Sequence, residues 1–289
     1  MEYVVHMLNF IGIYIILGIS YNILIGYAGL FSMAQAAFYG VGAYIAALLA
    51  LKLGFHFSLA MVLAVAGTML VSFLLALPTL RVKGDYLVIA TFGFQILIIN
   101  ILLNWASLTG GAAGLKKIPS PTLFGYVINS VYADFVLISL FTLLIIWVAS
   151  RILNSPFGLI LKGIREDETA ALALGKNVLK FKIWASMVSG GMAAIAGALY
   201  AYYIAFIDPT TFTLEETVFI LSIVIVGGAG RIQGSIVGAI ILVLFPELFK
   251  FLSLPESFAA PFRQVLYGIL LIVFMMFRPQ GIIGERSRE

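Results

Sequence analysis

Asn154 to Lys182 reads NSPFGLILKGIREDETAALALGKNVLKFK, the longest strongly charged interval in a chain that is 62% hydrophobic. Lys162, Arg165, Lys176, Lys180 and Lys182, with Arg151 just ahead, surround the acidic triplet Glu166-Asp167-Glu168. Ser155 is placed to cap a helix, and Pro156 suits the first helical position, where its missing N–H costs nothing. From Phe157 to Leu174 only Gly158 and Gly163 weaken a helix, and Gly175 stands where a left-handed terminator belongs. The pattern predicts a short, partly amphipathic helix between two membrane spans, where a partner can hold it. A solvated loop that only fixes topology is the alternative.

What flanks the interval decides the fold class. Only 10% of the residues are charged and mean hydropathy is +1.11. Apolar runs fall at about 7–25, 34–51, 57–77, 86–104, 131–152, 183–207, 214–229, 232–252 and 262–278. A helix of about 20 residues crosses hydrocarbon, and only helices or closed barrels satisfy their backbone groups there. These runs lack the two-residue alternation of a barrel. They predict an all-α, polytopic helical bundle of about 8–10 spans with broken or short helices, one short segment being a candidate re-entrant element. It forms a single transmembrane domain with two related halves, about 1–152 and 183–289, joined by the loop 153–182.

If that loop faces the cytoplasm, alternation places twelve basic residues inside and five outside, among the latter Lys52, Lys116 and Lys117. The bias predicts an external N-terminus and a cytoplasmic C-terminus. The net charge of +4 is spread over loops, so it sets orientation and does not make a nucleic-acid surface. The first apolar run has no basic leader and continues into a span, unlike a cleavable signal.

Both halves contain a glycine break. Tyr21 to Ala50 carries Gly26 and Gly29, with polar Asn22, Ser32 and Gln35 in the same interval. Ile223 to Ile240 (IVIVGGAGRIQGSIVGAI) carries Gly227, Gly228 and Gly230, followed by Gln233. Gly26-Tyr27-Ala28-Gly29 matches Gly227-Gly228-Ala229-Gly230. Interrupted apolar segments in corresponding halves point to a translocation path, although glycines also serve close helix packing in lipid. Leu80 to Asp85 reads as a tight turn. Trp105 to Asp134 is a long external segment able to receive a partner, and Pro246 predicts a kink.

Several chemistries find no residues. Cysteine is absent, and the two histidines, His6 and His56, have no second ligand at helical spacing, so a metal site is not expected. Neither a nucleophile elbow nor a phosphate-binding loop with its lysine occurs, so ATP hydrolysis is not expected on this chain. No charge stands alone inside a span, which weakens the case for ion coupling. A stand-alone ion-coupled secondary transporter and, more remotely, a membrane-embedded enzyme are the rival readings.

The chain resembles the permease subunits of branched-chain amino acid ABC importers, in their LivM-like branch. The resemblance rests on GYAGLFSMAQAAFYGVGA (Gly26–Ala43), LRVKGDYLVIAT (Leu80–Thr91), LTGGAAGL (Leu108–Leu115), Gly158–Lys182, GGMAAIAGALY (Gly190–Tyr200), GGAGRIQG (Gly227–Gly234), Leu244–Glu247 and FRPQGIIG (Phe277–Gly284). It implies a homologous second permease chain, two ATP-binding subunits that hold ATP and magnesium, and an external substrate-binding protein, all at the cytoplasmic (inner) membrane. It further implies inward movement of branched-chain, hydrophobic amino acids or related small solutes, with no cofactor on this chain. Gly163, Ile164, Arg165, Glu166, Asp167, Glu168, Ala170, Ala171 and Gly175 then correspond to the loop that couples to the ATPase. Ala170, Ala171 and Ala173 would give the docking face its small surface, and the acidic triplet its charge. Asn22, Gly26, Gly29, Ser32, Gln35, Gly227, Gly228 and Gly230 are the expected border of the translocation path.

Overall fold

Long apolar runs without internal breakers become membrane-length helices, and the charged interval between them becomes short ones. The computed structural model describes residues 2–79, 84–123, 126–128, 130–250 and, near the C-terminus, 268–269, 272, 274, 276 and 280–283. Helix α1 (Glu2–Asn22) winds on through a wider π turn over Ile23–Tyr27, and is followed by α2 (Gln35–Leu53), α3 (Phe57–Thr79) and α4 (Asp85–Asn104). A single-turn α5 (Ala106–Thr109) precedes α6 (Val131–Leu153). The charged interval folds as α7 (Pro156–Glu166) and α8 (Glu168–Ala173), and the chain returns through α9 (Val178–Ile204), α10 (Leu214–Gly227) and α11 (Ile232–Lys250).

Six of the expected spans are thus single helices long and apolar enough to cross a membrane, and the protein is a polytopic α-helical membrane protein. The expected spans 214–229 and 232–252 meet differently. They form one pair bent by 119° at residues 228–231. With 14 residues, α10 is about 21 Å long and falls short of the roughly 30 Å hydrocarbon layer. The ninth expected span, 262–278, lies largely outside the described residues, as does most of the turn at Leu80–Asp85.

Burial sorts the helices into two shells. In the most apolar windows of α1, α2 and α9, 67–83% of residues are buried, against 28–39% for α3, α4 and α6. The outer helices turn Val62, Leu70, Leu74, Leu97, Leu140 and Leu143 outward, as helices facing lipid must. Lipid tails are as apolar as leucine, so inner helices associate through close packing of small residues. Gly42 lies against Ala194, whose Cβ is 2.7 Å from where a Cβ on Gly42 would stand. Gly190 packs on Ser72, and Gly191 on Met69.

At the end opposite α7, the 105–130 connection folds back on the chain: β1 (Leu115–Lys116) pairs antiparallel with a strand at Phe206–Ile207. Asp208 caps the following 3-10 turn by accepting from Thr210 N at 2.8 Å. That turn drives Phe212 into the bundle between Tyr39, Tyr44 and Tyr200. Glu215 and Glu216 fall in the first turn of α10, the end of a helix that favours carboxylates.

Candidate functional site

The α7–α8 pair forms because each helix has its own cap. Ser155 accepts from Phe157 N, with Pro156 at the first helical position. The predicted single helix is split at Asp167. This residue adopts an extended conformation (φ −150°) and its carboxylate accepts from Thr169 N at 2.8 Å and Ala170 N at 3.0 Å. The Thr169 hydroxyl and those two amides hold the Asp167 carboxyl below the ordinary aspartate value of 3.8. Gly175 ends α8 at φ +73°, and Lys176 N donates back to Ala171 O at 3.1 Å, closing the last turn.

Of the residues assigned to coupling, Ile164 and Ala171 point inward and pack with Val178. Arg165, Glu166, Asp167 and Ala170 are exposed, as are Gly163, Thr169, Leu172, Ala173, Leu174 and Gly175. The small outer surface therefore comes from Ala170 and Ala173, while Ala171 is 7% exposed. The acidic triplet is also divided. Asp167 is spent on the cap, and Glu168 pairs with Lys182 at 2.8 Å, tying α8 to the start of α9. Glu166 stays on the surface.

The opposite face of α7 grips the end of α1. Lys162 lies over the Tyr27 ring, 5.4 Å from its centroid. One turn on, Arg165 Nη1 donates to the Gly26 carbonyl. Gly29, at φ +66°, lets the chain leave α1 beneath Arg165, whose Cγ would stand 3.1 Å from a Cβ there.

The two glycine breaks meet at this place. Asn22 spans them: Nδ2 donates to Arg231 O and Ser235 Oγ, both at 2.8 Å, and Oδ1 accepts from Gly230 N at 2.9 Å. Gly26 is packed directly on the backbone of Gly230, with no room for a Cβ. The carbonyls left over where α10 ends are taken by the C-terminal segment, since Ile282 N donates to Val226 O and Ile283 N to Gly227 O, each at 2.9 Å. Asn22 and Gly26 thus join the first break to the second at Gly230, while α7 covers the first break at Gly26 and Gly29.

Ser32 and Gln35 belong to a second cluster, deeper in the bundle. Residues 28–34 run without helix, and Ala28, Leu30, Ser32 and Ala34 among them are buried, so backbone groups here need partners from neighbours. Tyr21 donates to Ser32 O at 2.6 Å. Thr91 accepts from Met33 N, Thr217 from Ala36 N, and Gln95 Oε1 from Ala37 N at 2.7 Å, which caps the start of α2 from α4 and α10. Gln95 Nε2 donates to Phe212 O at 2.6 Å. Gln35 closes a ring with Ser20 and Ser189. Asn22 and Gln35 are 1% and 0% exposed.

Sequence reasoning passed over Ser20, Thr91, Gln95, Ser189, Thr217 and Ser235. The signal was present at Gln95, which stands alone in LVIATFGFQILII (Leu87–Ile99). A lone amide in a span is costly without a partner. Among the described residues, no group of three metal-ligating side chains occurs.

Comparison with known proteins gives one direction. The family described as "Branched-chain amino acid transport system / permease component" matches residues 3–275. The high-affinity branched-chain amino acid transport system permease protein LivM of Salmonella typhimurium is 34% identical over 94% of this chain and 68% of its own length. LivM of Escherichia coli K12 is 33% identical over the same shares. The autoinducer 2 import system permease protein LsrC of Salmonella paratyphi B is 29% identical over 66% of this chain and 54% of its own. No solved structure matches.

Proposed function

The chain belongs to the permease-component family of branched-chain amino acid transport systems, and from that premise we propose how its geometry serves import. It is a permease subunit of an ATP-binding-cassette importer. In the proposal it moves branched-chain, hydrophobic amino acids inward across the inner membrane, paired with a homologous permease chain. ATP and magnesium are held by two separate ATP-binding subunits docked on α7–α8, and an external binding protein delivers the solute. The N-terminus is outside and the C-terminus in the cytoplasm, in keeping with the basic-residue bias.

The observation that carries the reading is the contact of α7 with the first glycine break, which Asn22 and Gly26 join to the second. One face of α7–α8 presents Glu166, Ala170 and Leu172 outward, and the other holds the α1 end through Lys162 and Arg165. Displacing α7 must strain the Arg165–Gly26 contact. Asn22 then passes that displacement to residues 230–231 at the bend of α10–α11. A bend held by a few hydrogen bonds between short helices is a place where packing can switch between two arrangements. Freed amides and carbonyls at such a break suit an amino acid's carboxylate and ammonium without a buried charge.

The docking half of the proposal is tested by Ala170→Trp and Leu172→Asp, both exposed positions outside the core. Each should lose copurification of the ATP-binding subunits while membrane insertion stays normal. Retained copurification and full uptake in both would place docking elsewhere.

A further inference from the structure

The start of α9 carries a feature that transport through the bundle does not use. Lys180, Trp184 and Val188 follow one another at four-residue spacing along α9, and the Lys180–Trp184 ridge separates two grooves on the outside of the protein. The first groove, about 650 Å³, lies between α6, α7 and α9 and is lined by Ile152, Phe157, Phe181 and Val188. The second, about 750 Å³, lies between α3 and α9 and is lined by Met69, Leu70, Phe73, Ile183 and Met187. From Leu179 to Met187 the second groove follows about 12 Å of α9, close to the ~15 Å depth of one leaflet.

Lysines stand at one end of both grooves. Lys180 lines the two of them, and Lys176, in the turn before α9, lines the first beside Ser155 and Asn177. Neighbouring basic groups are committed elsewhere: Lys182 to Glu168, Arg165 to Gly26 O, and Arg151 to the Trp147 ring at 5.6 Å. Among the described residues, Lys176 and Lys180 have no ion pair. Trp184 is 47% exposed on the ridge, one turn from Lys180, and indole prefers the boundary between headgroups and tails.

We infer that this ridge binds an anionic phospholipid, with its phosphate on Lys176 and Lys180 and one acyl chain in each groove beside Trp184. The charge decides the class. Two unpaired ammonium groups over apolar clefts favour a lipid with net negative charge over a zwitterionic one. The preference should be on the order of fivefold for each lysine. The inference rests on the fold alone and is independent of what the protein transports.

The test uses the purified protein in nanodiscs, with Trp105→Phe and Trp147→Phe so that Trp184 is the remaining indole. Phosphatidylglycerol or phosphatidylcholine with brominated acyl chains is titrated in, and fluorescence quenching is read. Brominated phosphatidylglycerol should quench at a mole fraction at least tenfold lower than brominated phosphatidylcholine. Lys176→Gln/Lys180→Gln should abolish that difference. Equal quenching by the two lipids in the protein with both lysines overturns the inference, whatever the variant does. An undiminished preference in the double variant also overturns it. So does the absence of quenching by either lipid, which would mean that the ridge does not meet acyl chains.

Discussion

At the scale of single residues, Asn22 makes three hydrogen bonds that join α1 to the bend of α10–α11. Asn22→Ala leaves an amide, a carbonyl and a hydroxyl without that partner, and should cost about 2–4 kcal/mol. Gln95→Leu removes the bonds to Ala37 N and Phe212 O and should cost a similar amount, about 2–4 kcal/mol. Both losses should show as a lowered Tm of the detergent-solubilised protein. Wild-type Tm in both variants would mean that water or relaxed backbone replaces the lost bonds. Asn22 could be singled out from sequence because it sits next to a glycine break. Gln95 also stands out as a lone amide in an apolar run, but its partners at Ala37 and Phe212 are 58 and 117 residues away, and no local pattern records them.

At the scale of elements, the helix expected at 157–174 is present but broken in two. Its ends were legible, since Ser155-Pro156 and Gly175 act through local chemistry. The break at Asp167 was hidden by the acidic triplet, which reads as a block of surface charge although its members do three different things. Glu168 holds α8 to α9 through Lys182, so Glu168→Lys should impair ATPase coupling and Glu168→Lys/Lys182→Glu should restore it. A swap that restores nothing would show that Glu168 meets the partner subunit directly. The Asp167 cap has its own pH signature. Its folded value is depressed, so the cap's contribution is complete above 3.8 and is lost only as pH falls through the lowered value. Proteolytic protection of 167–175 should therefore hold throughout the neutral range and down to that value. Loss of protection at mildly acidic pH would contradict the cap.

At the scale of the whole molecule, membrane class and six spans were readable because hydropathy over about 20 residues needs no tertiary information. The bend at 228–231 was readable only as a glycine cluster between short apolar segments, one of which could be re-entrant. Which breaks face each other is a property of the assembled bundle. Orientation is open to a direct check: with cysteines placed singly at Thr169 and Ser120, an impermeant reagent outside intact cells should label Ser120→Cys and leave Thr169→Cys untouched. The reverse would invert the protein and remove the proposed ATPase contact.

The central claim is that α7 drives the paired breaks through Arg165. The most direct measurement compares substrate-stimulated ATP hydrolysis with uptake in proteoliposomes holding the assembled importer, wild type against Arg165→Ala. The outer face of α7–α8 is untouched by this change, so the ATP-binding subunits should still copurify and hydrolyse ATP, while uptake per ATP falls at least tenfold. Wild-type uptake per ATP in Arg165→Ala would contradict the account.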